Sequence, residues 1–232
     1  MGKDVIIACD FSSKEATLNF LDKFKDKKPF VKIGMELFYA EGPSIVKEIK
    51  DRGHKIFLDL KLHDIPNTVM KAMKVLSNLN VDMTNLHAGG TKKMMEYALK
   101  GLTREDGTRP ILIAVTQLTS TDQESLENDL LINKPIDEVV MHYAHNSKLA
   151  GLDGVVCSPL EAEKVHNVCG KEFITVTPGV RFADGEVGDQ KRIMTPAQAK
   201  LIGSDYIVVG RPITESADPV ATYLRCIEEF VG

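Results

Sequence analysis

Short apolar runs alternate along the chain with longer amphipathic stretches. Eight of these runs are rich in Val, Ile, Leu and Phe and have the length of buried strands. Because helical patterns separate them, they predict repeated β/α units with a parallel sheet. The predicted strands are Val5–Asp10, Phe30–Gly34, Lys55–Lys61, Met83–His87, Ile111–Gln117, Gly154–Ser158, Phe173–Pro178 and Tyr206–Arg211.

The amphipathic stretches carry recognisable helix start and stop signals. Ser12 is a suitable N-cap for the first stretch, prolines stand in the first turn of several others, and glycines follow many of their ends. Gly101 is predicted to end the fourth helix. The predicted helices are Ser13–Phe24, Gly42–Arg52, Pro66–Leu79, Thr91–Lys100, Pro135–Ala150, Leu160–Val168, Pro196–Ile202 and Asp218–Phe230.

Eight β/α units in 232 residues predict a (β/α)8 TIM barrel of the α/β class, since a barrel of this kind has roughly 250 residues. No stretch rich in Pro, Gly and Ser divides the chain, so we expect residues 1–232 to form a single domain. The alternative is a doubly wound open sheet. Asp10-Phe11-Ser12-Ser13 follows the first strand in place of a glycine-rich fingerprint, which disfavours the dinucleotide-binding form of that fold.

Charge and cysteine content exclude several classes of protein. The 29 Lys and Arg and 33 Asp and Glu leave a net charge of −4 without a basic stripe, so we expect no nucleic-acid partner. The four cysteines form no C-x-x-C pair, which is typical of a reducing compartment. Met1–Asp10 is too short and charged for a signal peptide, and no apolar run reaches the ~20 residues of a membrane span. We expect a soluble, cytoplasmic protein.

Charged residues embedded in the apolar runs are the first candidates for chemistry. Asp10, Lys32, Asp59 and Lys61 lie at or near the carboxyl ends of predicted strands, where barrels place their active sites. Period two puts Asp59 and Lys61 on one face of the third strand with Cα atoms about 6.6 Å apart, and Leu58 and Leu60 on the other. A salt bridge that only closes the barrel is the structural alternative. His63 and His87 fit satisfied core histidines better than catalytic ones.

A second group of residues is typical of a phosphate site. Barrels commonly bind phosphate with the loops after strands seven and eight. Here these positions carry Pro178-Gly179-Val180-Arg181, Gly210-Arg211 and a long loop, 182–192, that contains Gln190. Glycine lets a backbone N–H approach an oxygen, and arginine offers two parallel donors. The long loop is predicted to close over the ligand. A surface loop with an incidental arginine is the alternative.

The segment Phe-Leu-Asp-Leu-Lys-Leu-His-Asp-Ile-Pro-Asn-Thr at 57–68 resembles the signature of the orotidine 5′-phosphate decarboxylase family. Further matches cover nearly the whole chain: Ala-Cys-Asp-Phe at 8–11, Val-Lys-Ile-Gly at 31–34, Val-Thr-Gln-Leu-Thr at 115–119, Thr-Pro-Gly-Val-Arg at 177–181 and Val-Val-Gly-Arg at 208–211. The resemblance implies a decarboxylation of orotidine 5′-phosphate to uridine 5′-phosphate, the last step of pyrimidine synthesis, without a metal or other cofactor.

The resemblance also implies roles for individual residues. Lys61 donates a proton to the carbon that loses CO2, with Asp59 beside the departing carboxylate. Lys32 extends the charge array to the ribose, and Asp10 accepts a ribose hydroxyl. Asp64, Ile65 and Thr68 enter the site from the neighbouring subunit of a homodimer. Thr119 contacts the pyrimidine, Pro178 lines the base pocket, and the phosphate is held by Arg181, Gln190, Gly210 and Arg211.

Two other functions remain open at this point. A related enzyme acting on a sugar phosphate uses Mg²⁺, which prefers oxygen ligands such as Asp59 and Asp64. The second ammonium of Lys32 disfavours a divalent cation there. The other alternative is a barrel that binds a nucleotide without catalysis, since fold alone does not determine function. Such a protein has no need for alternating charges around one lysine.

Overall fold

A computed structural model describes residues 3–25, 27–183 and 194–232. In these residues eight parallel strands form a closed barrel in the order β1 to β8, with β8 paired to β1. The predicted TIM barrel is therefore confirmed. The strands are β1 (Asp4–Ala8), β2 (Phe30–Gly34), β3 (Ile56–Leu62), β4 (Met83–His87), β5 (Ile111–Val115), β6 (Gly154–Val156), β7 (Ile174–Thr177) and β8 (Tyr206–Val209).

Helices connect the strands on the outside of the barrel. Besides two short 3₁₀ turns, the described residues contain α1 (Lys14–Asp22), α2 (Met35–Glu41), α3 (Ser44–Asp51), α4 (Pro66–Ser77), α5 (Lys92–Leu102), α6 (Gln123–Asn128), α7 (Ile136–Leu149), α8 (Ala162–Cys169), α9 (Pro196–Leu201), α10 (Arg211–Thr214) and α11 (Pro219–Phe230). The eight predicted helices are all present. The short helices α2, α6 and α10 were not predicted, because each is only four to seven residues long.

Several strands end earlier than the sequence predicts. β1 ends at Ala8 instead of Asp10, β5 at Val115 instead of Gln117, and β8 at Val209 instead of Arg211. Polar residues and glycine directly follow these apolar runs, and the sequence alone does not show at which residue strand pairing stops. The polar residues beyond these ends are therefore in loops or short helices at the rim.

Gly101 does not end the fourth predicted helix. It lies inside α5, which continues to Leu102. A Cβ atom at Gly101 would lie 2.0 Å from the carbonyl oxygen of Met70 in α4. Glycine is needed here because α4 and α5 approach each other too closely for a side chain, and no signal within α5 shows that approach.

The core has two layers. Outward-facing strand residues such as Leu58 and Leu60 pack against the helices, as predicted from period two. A smaller cluster fills the barrel interior, with Phe30, Phe57 and Tyr206 as its aromatic members. Alternation of side chains along each strand separates the two layers, and seven strands contribute apolar residues to both. β7 contributes Ile174 and Val176 to the interior cluster only, because its outward residues are Thr175 and Thr177.

At the amino-terminal rim of the barrel, the same aspartate-to-backbone hydrogen bond occurs three times, a feature that the sequence analysis missed. Asp82, Asp153 and Asp205 each stand directly before an even-numbered strand. Their carboxylates accept backbone N–H bonds from the preceding strand: Ile56 to Asp82 at 2.7 Å, Leu112 to Asp153 at 2.8 Å and Thr175 to Asp205 at 2.8 Å. Each bond satisfies an N–H group at the start of a ladder, which stabilises the closed barrel.

The four cysteines, Cys9, Cys157, Cys169 and Cys226, are buried and form no disulfide. Burial raises the pKa of the Cys9 thiol to about 12, so this side chain acts as a small apolar residue. Among the residues that the structure describes, no helix is long and apolar enough to cross a membrane.

Candidate active site

The barrel interior changes from apolar to charged toward the carboxyl ends of the strands. On β2 the interior position after Phe30 is Lys32, and on β3 the one after Phe57 is Asp59. Because side chains two residues apart share a face, the same inward face carries the core below and the charges above. The charged residues therefore meet at the carboxyl-terminal rim.

Four of the predicted residues meet in one cluster. The Nζ atom of Lys61 donates to Oδ1 of Asp59 at 2.6 Å, which confirms the predicted proximity of these side chains. The Nζ atom of Lys32 lies 2.8 Å from Oδ1 of Asp10 and 3.4 Å from Oδ2 of Asp59. The order Asp10, Lys32, Asp59, Lys61 thus alternates in charge across three strands.

Burial and neighbouring charges shift the pKa values of Asp59 and Lys32 in opposite directions. Burial alone disfavours the Asp59 carboxylate, but Lys32 and Lys61, with a hydrogen bond from Asn85, hold its pKa below the ordinary value. Burial likewise disfavours the Lys32 ammonium, but Asp59 and Asp10 raise its pKa above the ordinary value. Each group is kept ionised by its neighbours.

The strand that carries Asp59 and Lys61 is irregular. In the pairing of β3 with β4, Leu58 faces Thr84 and Leu62 faces Leu86, so three residues of β3 lie opposite the single residue Asn85. Lys61 lies in this bulge with φ of 50°, a conformation uncommon for residues other than glycine. The alternation of a regular strand therefore predicted the contact between Asp59 and Lys61 correctly. It did not predict the bulged backbone that brings the two side chains together.

Asn85 is the site residue that the sequence analysis missed. Its side chain is fully buried in β4, and it bonds Asp59 and the backbone of Lys61. A signal was available, because Asn85 is a polar residue inside an apolar run and shares a face with Met83 and His87. Asn85 is uncharged and lies inside β4, so a search for charged residues at strand ends does not include it.

His63 and His87 lie beside the charge cluster with ring centroids 5.7 Å apart. Both line a cavity of about 450 Å³ that extends toward Thr116 and Tyr143. Burial, His63 and Lys61 lower the pKa of His87, which favours its neutral form. No hydrogen bond of either ring is among the contacts of the described residues, so the expectation of satisfied core histidines has no support here.

The candidate phosphate residues lie after β7 and β8. The side chain of Arg181 donates to the carbonyl oxygen of Val180 at 2.9 Å. Burial and the nearby Arg211 guanidinium lower the pKa of Arg181, so the two cationic groups are close enough to repel each other. Gly210 directly precedes Arg211, and Pro178 is half-buried at the end of β7. An anion between the two arginines relieves their repulsion.

The remaining predicted residues are not part of the charge cluster. Asp64, Ile65 and Thr68 are exposed at the start of α4, and no described contact joins Asp64 to Lys61 within the protomer. Thr119 is half-buried in the loop after β5. Gln190, and most of the predicted loop 182–192, lie outside the described residues. In the described part of the chain, no group of three or more His, Cys, Asp or Glu side chains is arranged to hold a metal ion.

Comparison with known proteins gives one consistent family. The family model described as "Orotidine 5'-phosphate decarboxylase / HUMPS family" matches residues 3–226. A Streptococcus suis protein named orotidine 5′-phosphate decarboxylase is 57% identical over 226 residues, which cover 97% of this chain and 96% of that protein. A Bacillus cytotoxicus protein of the same name is 52% identical over 235 residues, covering 100% and 99%.

A solved structure agrees with these similarities. The crystal structure of orotidine 5′-phosphate decarboxylase from Lactobacillus acidophilus is 43% identical and superposes with a TM-score of 0.89. The match covers 99% of this chain and 100% of that one. The similarity therefore extends over the barrel as a whole and is not confined to the 57–68 segment.

Proposed function

Because the chain belongs to the orotidine 5′-phosphate decarboxylase / HUMPS family, we propose that it converts orotidine 5′-phosphate to uridine 5′-phosphate and CO2. This reaction is the last step of uridine 5′-phosphate synthesis, and we place it in the cytoplasm, in a single catalytic domain of residues 1–232. The observation that carries the proposal is the Lys61 ammonium, held 2.6 Å from the Asp59 carboxylate at the mouth of the barrel.

The chemistry requires a fixed cation next to the reacting carbon. When the C–C bond to the carboxylate breaks, CO2 leaves and its bonding electron pair stays on the ring carbon. That pair lies in the plane of the ring, so the ring π system does not delocalise it. The Lys61 ammonium stabilises the developing charge and then donates a proton to the carbon, so one residue supplies electrostatic stabilisation and general acid catalysis.

The charged neighbours of Lys61 hold it and the substrate in place for the reaction. Asp59 lies beside the substrate carboxylate and repels it, while its ion pair with Lys61 holds the amine at the mouth of the barrel. Lys32, which bonds Asp10 and faces Asp59, extends the array toward the ribose, where Asp10 accepts a hydroxyl. Preorganised charges of this kind need no reorganisation during the reaction.

Substrate binding is assigned to the loops of the same rim. Thr119 and Pro178 contact the base. Binding energy at the phosphate, remote from the reacting carbon, is available to stabilise the transition state. The proximity of Arg181 to Arg211 supports an anion at this place. We assign the phosphate to Arg181, Gln190, Gly210 and Arg211.

We also propose a homodimer with shared sites. Asp64, Ile65 and Thr68 are exposed in the protomer, and 68% of the Ile65 side chain is accessible. The family resemblance assigns these residues to the neighbouring active site, so that Asp64 of one subunit faces Lys61 of the other. Mixing inactive Asp64→Asn and Lys61→Ala subunits is expected to restore part of the activity. Heterodimers that form but stay inactive contradict the shared site.

A magnesium-dependent reaction on a sugar phosphate fits the cluster less well. Both oxygens of Asp59 already face ammonium groups, Lys61 on one side and Lys32 on the other. A divalent cation has to displace them and approach two positive charges. The described donors therefore fit an ion-pair array better than a Mg²⁺ site.

An ultraviolet assay of orotidine 5′-phosphate loss, run with and without EDTA, tests the proposal. Turnover that is unchanged by the chelator is the expected result. Turnover that needs Mg²⁺ favours the sugar-phosphate relative. Binding of uridine 5′-phosphate without turnover of orotidine 5′-phosphate favours a non-catalytic nucleotide-binding protein.

A further inference from the structure

Asn85 connects two groups of the proposed active site. Its Nδ2 atom donates a hydrogen bond to Oδ1 of Asp59 at 2.6 Å, and its Oδ1 atom accepts one from the backbone N–H of Lys61 at 2.8 Å. Only this orientation of the amide serves both partners, because the ionised carboxylate can only accept and the N–H can only donate. Asn85 therefore holds the side chain of one residue and the backbone of the other.

The bulge in β3 explains why this second bond is needed. Because three residues of β3 lie opposite Asn85 alone, the N–H of Lys61 finds its partner in the Asn85 side chain. Lys61 also has φ of 50°, and a non-glycine residue stays in this region only when its surroundings hold it there. The direction in which the Lys61 side chain leaves the backbone thus depends on Asn85.

We propose that Asn85 is a positioning residue for the decarboxylation, holding Lys61 in its left-handed conformation and Asp59 against the Lys61 ammonium. The inference rests on the proposed function for its catalytic consequence. Proton donation depends on where the Lys61 ammonium lies, and a displacement of about 1 Å lowers the rate of a well-positioned reaction by roughly 100-fold. Neither an apolar nor an anionic side chain at 85 serves both partners.

The substitution Asn85→Asp gives the sharpest test, because it is nearly isosteric. The introduced carboxyl group can donate to Asp59 only while it is protonated. When it ionises, it repels Asp59 across a 2.6 Å contact. Asp59 and Lys61 contact this position directly. The other charged and titratable groups of the surrounding cluster are Lys32 of β2, Asp10 after β1, His63 after β3 and His87 of β4.

The expected result is a new dependence of kcat on pH. Between pH 5 and 9 the kcat of Asn85→Asp is expected to approach that of the parent protein at the acidic end and to fall about 100-fold below it at the alkaline end. KM and the affinity for uridine 5′-phosphate are expected to stay the same, because the side-chain bonds described for Asn85 go to Asp59 and Lys61 and not to Arg181 or Arg211. A parent-like kcat at every pH overturns the proposal.

Asn85→Ala and a neighbouring control separate positioning from general destabilisation. Asn85→Ala removes both bonds, so kcat is expected to fall about 100-fold. Thr84→Val is the matched control: Thr84 is also buried in β4, and its hydroxyl donates to the Leu58 carbonyl at 3.0 Å and not to Asp59 or Lys61. It is expected to lower the melting temperature with kcat unchanged. An equal loss of kcat in both variants overturns the proposal.

Hydrogen exchange at the Lys61 amide provides a readout that does not need activity. Its exchange is expected to speed up in Asn85→Ala and to stay at the parent rate in Thr84→Val. If the parent protein does not decarboxylate orotidine 5′-phosphate, the proposed function fails, but this measurement still decides whether Asn85 holds the Lys61 backbone. An unchanged exchange rate in Asn85→Ala overturns the proposal.

Discussion

Both rims of the barrel carry carboxylates paired with cations, but the carboxylates of the two rims differ in their hydrogen-bond partners. At the amino-terminal rim Asp82 accepts a bond from Lys50 and Asp153 pairs with Arg109, and each also binds a backbone N–H. At the carboxyl-terminal rim, the contacts that the structure describes for Asp59 join it only to side chains: Lys61, Lys32 and Asn85.

This difference distinguishes carboxylates that stabilise the barrel from carboxylates that are able to interact with a ligand. A carboxylate that closes a backbone ladder cannot leave without exposing an unpaired N–H, so it is committed to the fold. A carboxylate and ammonium held only by side chains can exchange partners with a ligand while the ladder stays intact. We therefore call the amino-terminal rim the structural rim and the carboxyl-terminal rim, which carries the proposed active site, the reactive rim.

The substitution Lys61→Ala tests the reactive rim most strongly. It removes the cation that we propose as the proton donor, so kcat is expected to fall about 10⁴-fold or more. The matched control at the structural rim is Lys50→Ala, which removes a lysine paired with Asp82 at 2.8 Å and is expected to leave kcat unchanged. Ultraviolet assays of both variants check this. Substantial activity in Lys61→Ala contradicts its assigned role.

The substitution Asp153→Ala tests the structural rim. It leaves the N–H of Leu112 and the half-buried Arg109 without their partner, so the free energy of unfolding is expected to fall by about 3 kcal/mol. Urea unfolding measures this loss, and kcat of the folded variant should not change. A large drop in kcat at full folding means that the two rims are not separate in function.

Arginines allow the same comparison for substrate binding. Arg211→Ala removes the proposed charge-assisted contact to the phosphate, so KM is expected to rise about 10- to 100-fold with a smaller change in kcat. Arg109→Ala, at the other rim, serves as the control and lowers stability without raising KM. Steady-state kinetics on both variants decides the matter, and an unchanged KM in Arg211→Ala removes this residue from the phosphate site.

The dependence of stability on pH gives the smallest expected effect. The folded protein depresses the pKa of Asp59, so the stability that its ionised form contributes is present above the ordinary pKa of about 3.9 and is lost as pH falls through the folded value. The stability difference between the parent and Asp59→Asn is expected to stay constant from pH 5 to 8 and to change only below about pH 4. Urea unfolding across this range checks it, and a steady drift between pH 5 and 8 contradicts the assignment.

Local pattern was enough to predict the eight β/α units and the proximity of Asp59 and Lys61 at a rim that also carries Asp10 and Lys32. It also added Asp64 to the alternating charges, and no described contact within the protomer joins Asp64 to them. Alternation places inward residues, and the parallel arrangement brings all strand ends to one rim. These are properties of neighbours along the chain, so a single sequence contains them. Because all eight strands run in the same direction, charged residues at their carboxyl ends lie at the same rim.

Contacts between distant segments were decided only in the folded chain. The bulge opposite Asn85, the left-handed backbone of Lys61, and the close approach of α5 to Met70 at Gly101 each depend on a partner about 24 to 31 residues away. No local propensity encodes such a partner, because register and helix spacing follow from how whole elements pack. The sequence by itself determined which groups face the reactive rim, and the tertiary structure decided how they are held there.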